Sequence, residues 1–223
     1  MPWTDEEIAQ RVARDVELGW VINLGIGIPT RVARHITAAG VLVHSENGIL
    51  GMGPPAAEGQ EDPDLVDASK NAVTIVPGAA FMDTLVSFSL IRGGHLDLSL
   101  MGAYQVSAAG DLANWRLPHR RVGGIGGAAD LAAGAKRVWV AMKHTAKDGG
   151  IKLVSECTYP LTAKGIVTRI YSDLAVLEID REARIGYILD LAPGVERDAV
   201  VEVTDIPLED APNRSGDLVS PAP

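Results

Sequence analysis

The sequence predicts an α/β protein with an open, mostly parallel sheet covered by helices. Three observations carry that expectation. Short aliphatic runs of strand length alternate with segments whose apolar residues recur at helical spacing. Much of the glycine, 24 in 223 residues, falls in clusters between those runs, as suits turns that approach ligands closely. Aromatics make up only 4%, so Ala, Val, Ile and Leu must build the core.

Thr4 followed by Asp5, Glu6 and Glu7 is an N-cap with an acidic first turn. Ile8, Val12, Val16 and Leu18 continue the stripe, and Gly19 ends it. Residues 20–24 form a short strand, and 25–30 the loop after it. Pro29 and Thr30 then open a helix expected to reach Ala39 before Gly40. Val41-Leu42-Val43 is a buried type of strand that runs into His44-Ser45-Glu46-Asn47-Gly48. Residues 51–64, rich in Gly, Pro, Asp and Glu, are expected to be a long surface loop.

Val73–Val76 is a strand expected to stop at Pro77-Gly78, and Asp83 or Thr84 caps a helix through Arg92. Strands follow at 96–100 and 138–142, the latter after the glycine-dense segment 123–127. Residues 175–180 and 186–191 are two paired strands around a charged turn. One domain over 1–210 and a C-terminal tail over 211–223 are the expected organisation.

A formal net charge of −9 argues against general nucleic-acid binding. No apolar run reaches the ~18 residues of a membrane span. The N-terminus is acidic where a signal peptide would be basic, and a single cysteine, Cys157, forms no internal disulfide. A cytoplasmic protein is the resulting expectation. The histidines at 35, 44, 95, 119 and 144 show no metal-ligand spacing, so no metal is expected.

In open α/β sheets, ligands bind beyond the carboxyl ends of the strands. Loops 25–30, 44–53, 77–82, 102–105 and 123–127 hold such positions. The sharpest is 44–48, where an aliphatic strand delivers a carboxylate onto an Asn-Gly turn. Spacing alone leaves Glu46 open between a solvated turn residue and a reacting group. Gly25-x-Gly27 lacks the third glycine of a dinucleotide loop, since Thr30 stands there, and no Lys-Ser/Thr follows for a P-loop. Residues 123–127 could present backbone N–H groups to an oxyanion, or could simply be a flexible loop. Cys157 is open to a nucleophile reading but fits a buried small residue better.

Residues 44–51, His-Ser-Glu-Asn-Gly-Ile-Leu-Gly, resemble the active-site signature of the β (B) subunit of 3-oxoacid CoA-transferases. Residues 23–29, 91–97, 110–115, 126–131, 144–147 and 157–162 resemble further segments of that family, in order, from about residue 5 to about 200. The departures are small; Lys143, where an acidic residue is common, is the one with a bearing on substrate preference.

The resemblance implies the CoA-transferase β-subunit fold (NagB/RpiA/CoA-transferase-like). It also implies Glu46 as a nucleophile that carries CoA as a glutamyl thioester, moving it from succinyl-CoA or another acyl-CoA to a 3-oxoacid such as 3-oxoadipate or acetoacetate. An acetate/butyrate-type CoA-transferase, an acyl-CoA hydrolase and a non-catalytic ligand-binding module are the alternatives on the same fold. Free glutamate ionises near pH ~4.3, so such a nucleophile needs no base. It needs oxyanion stabilisation and a dry pocket. By resemblance, Gly126 and Gly127 supply the oxyanion donors, Lys70 opposes negative charge near the substrate and CoA, and Gly25, Gly27 and Asn47 line the site. Coenzyme A enters as substrate, with no permanent cofactor. The partner implied is a separate α (A) subunit, with α2β2 as one such hetero-oligomer.

Overall fold

The computed structural model describes residues 1–67, 70–118 and 124–212. The chain begins with α1 (Asp5–Ala13), β1 (Val21–Leu24) and α2 (Ile28–Arg31), which tightens into a 3-10 turn at Val32–His35. Next come β2 (Leu42–Ser45), β3 (Ile49–Pro55), β4 (Val73–Phe81), α3 (Thr84–Arg92), β5 (Leu98–Met101), β6 (Gln105–Ser107) and β7 (Leu112–Ala113). The remainder holds α4 (Ala128–Gly134), β8 (Val138–Ala141), β9 (Leu153–Val154), β10 (Val167–Tyr171), β11 (Ala175–Asp180), β12 (Ile185–Leu191), α5 (Arg197–Glu202) and β13 (Leu208–Asp210).

Ten strands form one sheet in the order β13-β12-β11-β10-β8-β5-β1-β2-β3-β4, and β7-β6-β9 form a small second one. The centre, β10-β8-β5-β1-β2, is parallel throughout. Antiparallel strands flank it on both sides, and β13 returns to a parallel pairing with β12. Successive residues of a strand point to opposite faces, so each central strand feeds two cores. Val138 and Val140 join the cluster under α3 and α4 with Ile91 and Leu131. Trp139 and Ala141 join the other, with Ile8, Val12 and Val32.

The Thr4 cap is a full capping box: its side chain accepts from Glu7 N while Glu7 reaches back to Thr4 N. The helix ends at Ala13, earlier than the stripe suggests, and Leu18 is exposed. Just past the helix, Asp15 is held by Arg11 at 2.8 Å, Arg169 at 3.2 Å and the Tyr171 hydroxyl at 2.7 Å. The helix expected to reach Ala39 is likewise short. Its 3-10 continuation buries Val32 completely and sets His35 Nε2 2.6 Å from Glu6, before Ile36 becomes extended.

Two boundaries differ for one reason. The expected loop from residue 51 begins as strand β3, and β4 runs on through Pro77-Gly78. Both strands contain register shifts that absorb their glycines and prolines. Pro77 lies on the edge strand, in the register shift between the paired residues Ile75 and Ala80, so it replaces no residue paired with β3. Of the expected tail, residues 213–223 lie outside the described residues.

Candidate active site

The parallel strands β5, β1 and β2 end side by side, and their carboxyl ends deliver Gly102, Gly25 and Glu46. Gly25 N donates to Leu100 O at 2.8 Å, and a Cβ on Gly25 would stand 3.1 Å from that oxygen. The glycine therefore permits the close approach of β1 and β5 at the site's floor. Gly27 precedes α2 at φ 99°, where an L side chain is strained.

Glu46 follows β2 on a tight turn. Gly48 N donates to Ser45 O at 2.9 Å, and Met82 N donates to Gly48 O at 2.9 Å. The Glu46 carboxylate is half-buried and accepts from Asn23 Nδ2 at 3.1 Å through Oε2. Asn23 itself is buried in β1, and its Nδ2 also lies 3.2 Å from His44 O and 3.4 Å from His44 Nδ1. His44 Nε2 meets Ser87 Oγ at 3.0 Å, and Ser87 Oγ donates to Glu46 O at 3.0 Å. Burial pushes the His44 imidazole below its usual range, with Glu46 pulling the other way.

Gly127 faces this carboxylate. A Cβ built on it would lie 3.9 Å from Glu46 Cγ and 3.1 Å from Phe88 Cζ. Gly126 sits beside it at φ 58°, in the left-handed turn that leads into α4. Neither glycine N–H is engaged by a described acceptor, whereas Ala128 N donates back to Ile125 O. The Glu46 carboxylate thus faces the glycine that opens α4, with space between them for a reacting carbonyl.

The other expected site residues are less direct. Asn47 is exposed and turns away from the carboxylate, donating from Nδ2 to Val66 O at 2.9 Å. That bond ties the Glu46 turn to the segment carrying Lys70, which is exposed at φ 66°. Lys70 N donates to Asp67 O, and no contact joins Lys70 to Glu46 among the described residues. Ala68, Ser69, His119 and Gly123 lie outside the described residues. Lys143 bonds Asp5 at 3.1 Å and Asp173 at 3.6 Å, anchoring the N-terminal segment. Among the described residues, no cluster of His, Cys, Asp and Glu could hold a metal ion, and no helix is long and apolar enough to cross a membrane.

The sequence alone assigns no role to Asn23, His44 or Ser87. One signal is available for Asn23: an amide inside an apolar strand must find partners when buried. Two surface hollows, about 370 Å³ beside Glu178–Asp180 and about 360 Å³ between α1 and β12, do not include Glu46 or Asn23.

The profile of the coenzyme A transferase family matches residues 5–203. The chain belongs to the coenzyme A transferase family. It is 49% identical over 203 residues to the B subunit of 3-oxoadipate CoA-transferase from Pseudomonas putida, covering 91% of this chain and 94% of that one. It is 45% identical over 204 residues to the B subunit of succinyl-CoA:3-ketoacid coenzyme A transferase from Helicobacter pylori, covering 92% and 98%. Among solved structures, the acyl-CoA transferase of Escherichia coli O157:H7, a thioester complex with CoA, superposes with TM-score 0.71 at 19% identity. That match covers 95% of this chain and 42% of the longer polypeptide, and it supports the expected fold. This CoA-transferase chain thus presents Glu46, Asn23 and Gly127 together at the carboxyl ends of its central strands.

Proposed function

We propose that this CoA-transferase chain moves CoA from succinyl-CoA to a 3-oxoacid through a glutamyl-CoA thioester on Glu46. The observation that carries the reading is the carboxylate held by Asn23 at 3.1 Å, with Gly127 across from its Cγ. A Glu46 oxygen attacks the thioester carbonyl carbon, and the carbonyl electron pair moves to oxygen. Collapse of this oxyanion breaks the C–S bond and releases CoA thiolate, leaving an acyl-glutamyl anhydride. The thiolate then attacks the Glu46 carbonyl and expels the first acid as carboxylate. The second acid repeats both steps in reverse order. Every nucleophile and leaving group is an anion, so no proton need move.

Within that scheme Gly126 and Gly127 donate to the oxyanion, and Asn23 orients the attacking oxygen. Gly25 shapes the floor, Gly27 and Asn47 support the surrounding loops, and Lys70 offers a cation to CoA or the acid. The α (A) subunit of the same enzyme is the partner, and it covers the open side. The exposed Phe81, Leu85 and Val86, next to the Met82–Gly48 bond, support this. An apolar patch of that kind beside a site is what a second chain covers. The 3-oxoadipate and 3-ketoacid relatives support the 3-oxoacid class of acceptor.

Borohydride trapping tests the reading. The two-subunit enzyme, given succinyl-CoA and then borohydride, acquires a reduced Glu46 seen by peptide mass spectrometry. A Glu46→Gln variant with full transfer activity, or no change at Glu46, overturns it. An acceptor panel of 3-oxoadipate, acetoacetate and acetate then ranks the second substrate.

A further inference from the structure

Helix α3 makes contacts on both sides of the candidate site within nine residues. Ser87, wholly buried, donates its hydroxyl proton to the Glu46 carbonyl oxygen. With that proton committed, the 3.0 Å contact between Ser87 Oγ and His44 Nε2 has the imidazole as donor. Nδ1 is then the acceptor, and it faces the Asn23 amide that holds the Glu46 carboxylate. Backbone and side chain of Glu46 are thus held by one chain of bonds through His44.

The next residue reaches the other side. The Phe88 ring stands 3.1 Å from where a Gly127 Cβ would be, so the ring backs the glycine loop. At the helix end, Arg92 Nε donates to Asp130 Oδ1 at 2.7 Å, joining α3 to α4, the helix that Gly127 precedes.

We propose that α3 is the spacer between nucleophile and oxyanion donors, with Ser87 and His44 as positioning residues on the Glu46 side and Phe88 on the Gly127 side. The proposal rests on the reading of Glu46 as nucleophile. None of the three touches the reacting atoms; each fixes a group that does. Loosening the spacer is expected to slow the acyl transfer without weakening substrate binding. Misplacement by a fraction of an ångström is costly when two groups must meet one carbonyl.

The test uses the two-subunit enzyme and the rate at which succinyl-CoA forms the borohydride-trapped Glu46 species. Ser87→Ala is expected to lower the saturated rate about 10-fold with KM unchanged, the size of one lost hydrogen bond. His44→Leu should lose a similar factor, and the double variant no more than the worse single one. His44→Gln, whose amide reaches the same Ser87 oxygen, should recover most of the rate. Phe88→Leu should slow the same step with KM unchanged. Unaltered trapping in Ser87→Ala, losses that multiply in the double variant, or a KM that rises as the rate falls each overturn the proposal. An absence of any Glu46 species in the wild-type enzyme overturns the nucleophile reading instead.

Discussion

Asn23 Nδ2 lies 3.1 Å from Glu46 Oε2, on a strand adjacent to the one that carries the glutamate. The pairing of Asn23 with His44 in the parallel ladder sets that distance, so the hydrogen bond follows from sheet register. Asn23→Ala should reduce kcat by about 10- to 100-fold, the usual effect of losing a hydrogen bond to a charged group. Asn23→Asp should do more. A second carboxylate facing the first repels it and offers no donor in place of the lost amide. Steady-state transfer rates of both variants check this, and an unchanged kcat in either counts against the contact.

Gly127 leaves room for one hydrogen atom where any larger residue would put carbon. A methyl there meets Phe88 at 3.1 Å and approaches Glu46 Cγ at 3.9 Å. Gly127→Ala should therefore lower kcat at least 10-fold while changing stability by only about 1 kcal/mol, since the Phe88 ring edge can give slightly. Gly126→Ala acts through the backbone, because φ 58° costs an L residue about 1 kcal/mol. Comparing kcat with denaturation midpoints separates the two effects.

Much of this architecture is legible in the sequence because the central strands are buried on both faces and advertise themselves as aliphatic runs. Val138–Ala141 and Leu42–Val43 are such cases. The edge is less legible. Gly51, Gly53, Pro54 and Pro77 look like loop residues, yet they lie in β3 and β4, where bulges and an unpaired edge tolerate them. At the site, Glu46 and the glycines can be singled out from motif and resemblance. Ser87 cannot. Its role depends on α3 crossing over β2, which is a tertiary relation that no local pattern encodes.

Cys157 offers a separate check on which nucleophile reacts. Its thiol is pushed up to about 12 by burial, with Asp111 acting in the same direction, and Sγ lies 3.8 Å from Asp111 O. Thiolate is the reactive form, so the folded protein should resist iodoacetamide at pH 8 and label only after denaturation. Cys157→Ser should retain transfer activity within about twofold. Rapid labelling of the native chain would show that the thiol is more open than its surroundings imply.

His144 should set an acid limit on stability. The ring is buried, with Nδ1 2.8 Å from Ser172 Oγ and Nε2 2.8 Å from Thr204 Oγ1. The Thr204 hydroxyl donates to Val200 O, so Nε2 donates to Thr204. Ser172 Oγ already accepts from Leu174 N and Ala175 N, leaving it no lone pair for a second imidazole proton. Burial accordingly lowers this histidine from 6.5 to about 4, with Asp173 opposing and Lys152 assisting. The unfolded chain then binds a proton between those values that the folded chain does not. The stabilising term is complete above pH 6.5 and is lost as pH falls toward 4. At its largest the loss is on the order of 3 kcal/mol. Urea unfolding at several pH values should show stability declining through that window. In His144→Gln the slope should shrink by up to one proton, even though the variant starts lower at pH 7. An equal slope in both proteins would assign the acid sensitivity to other groups.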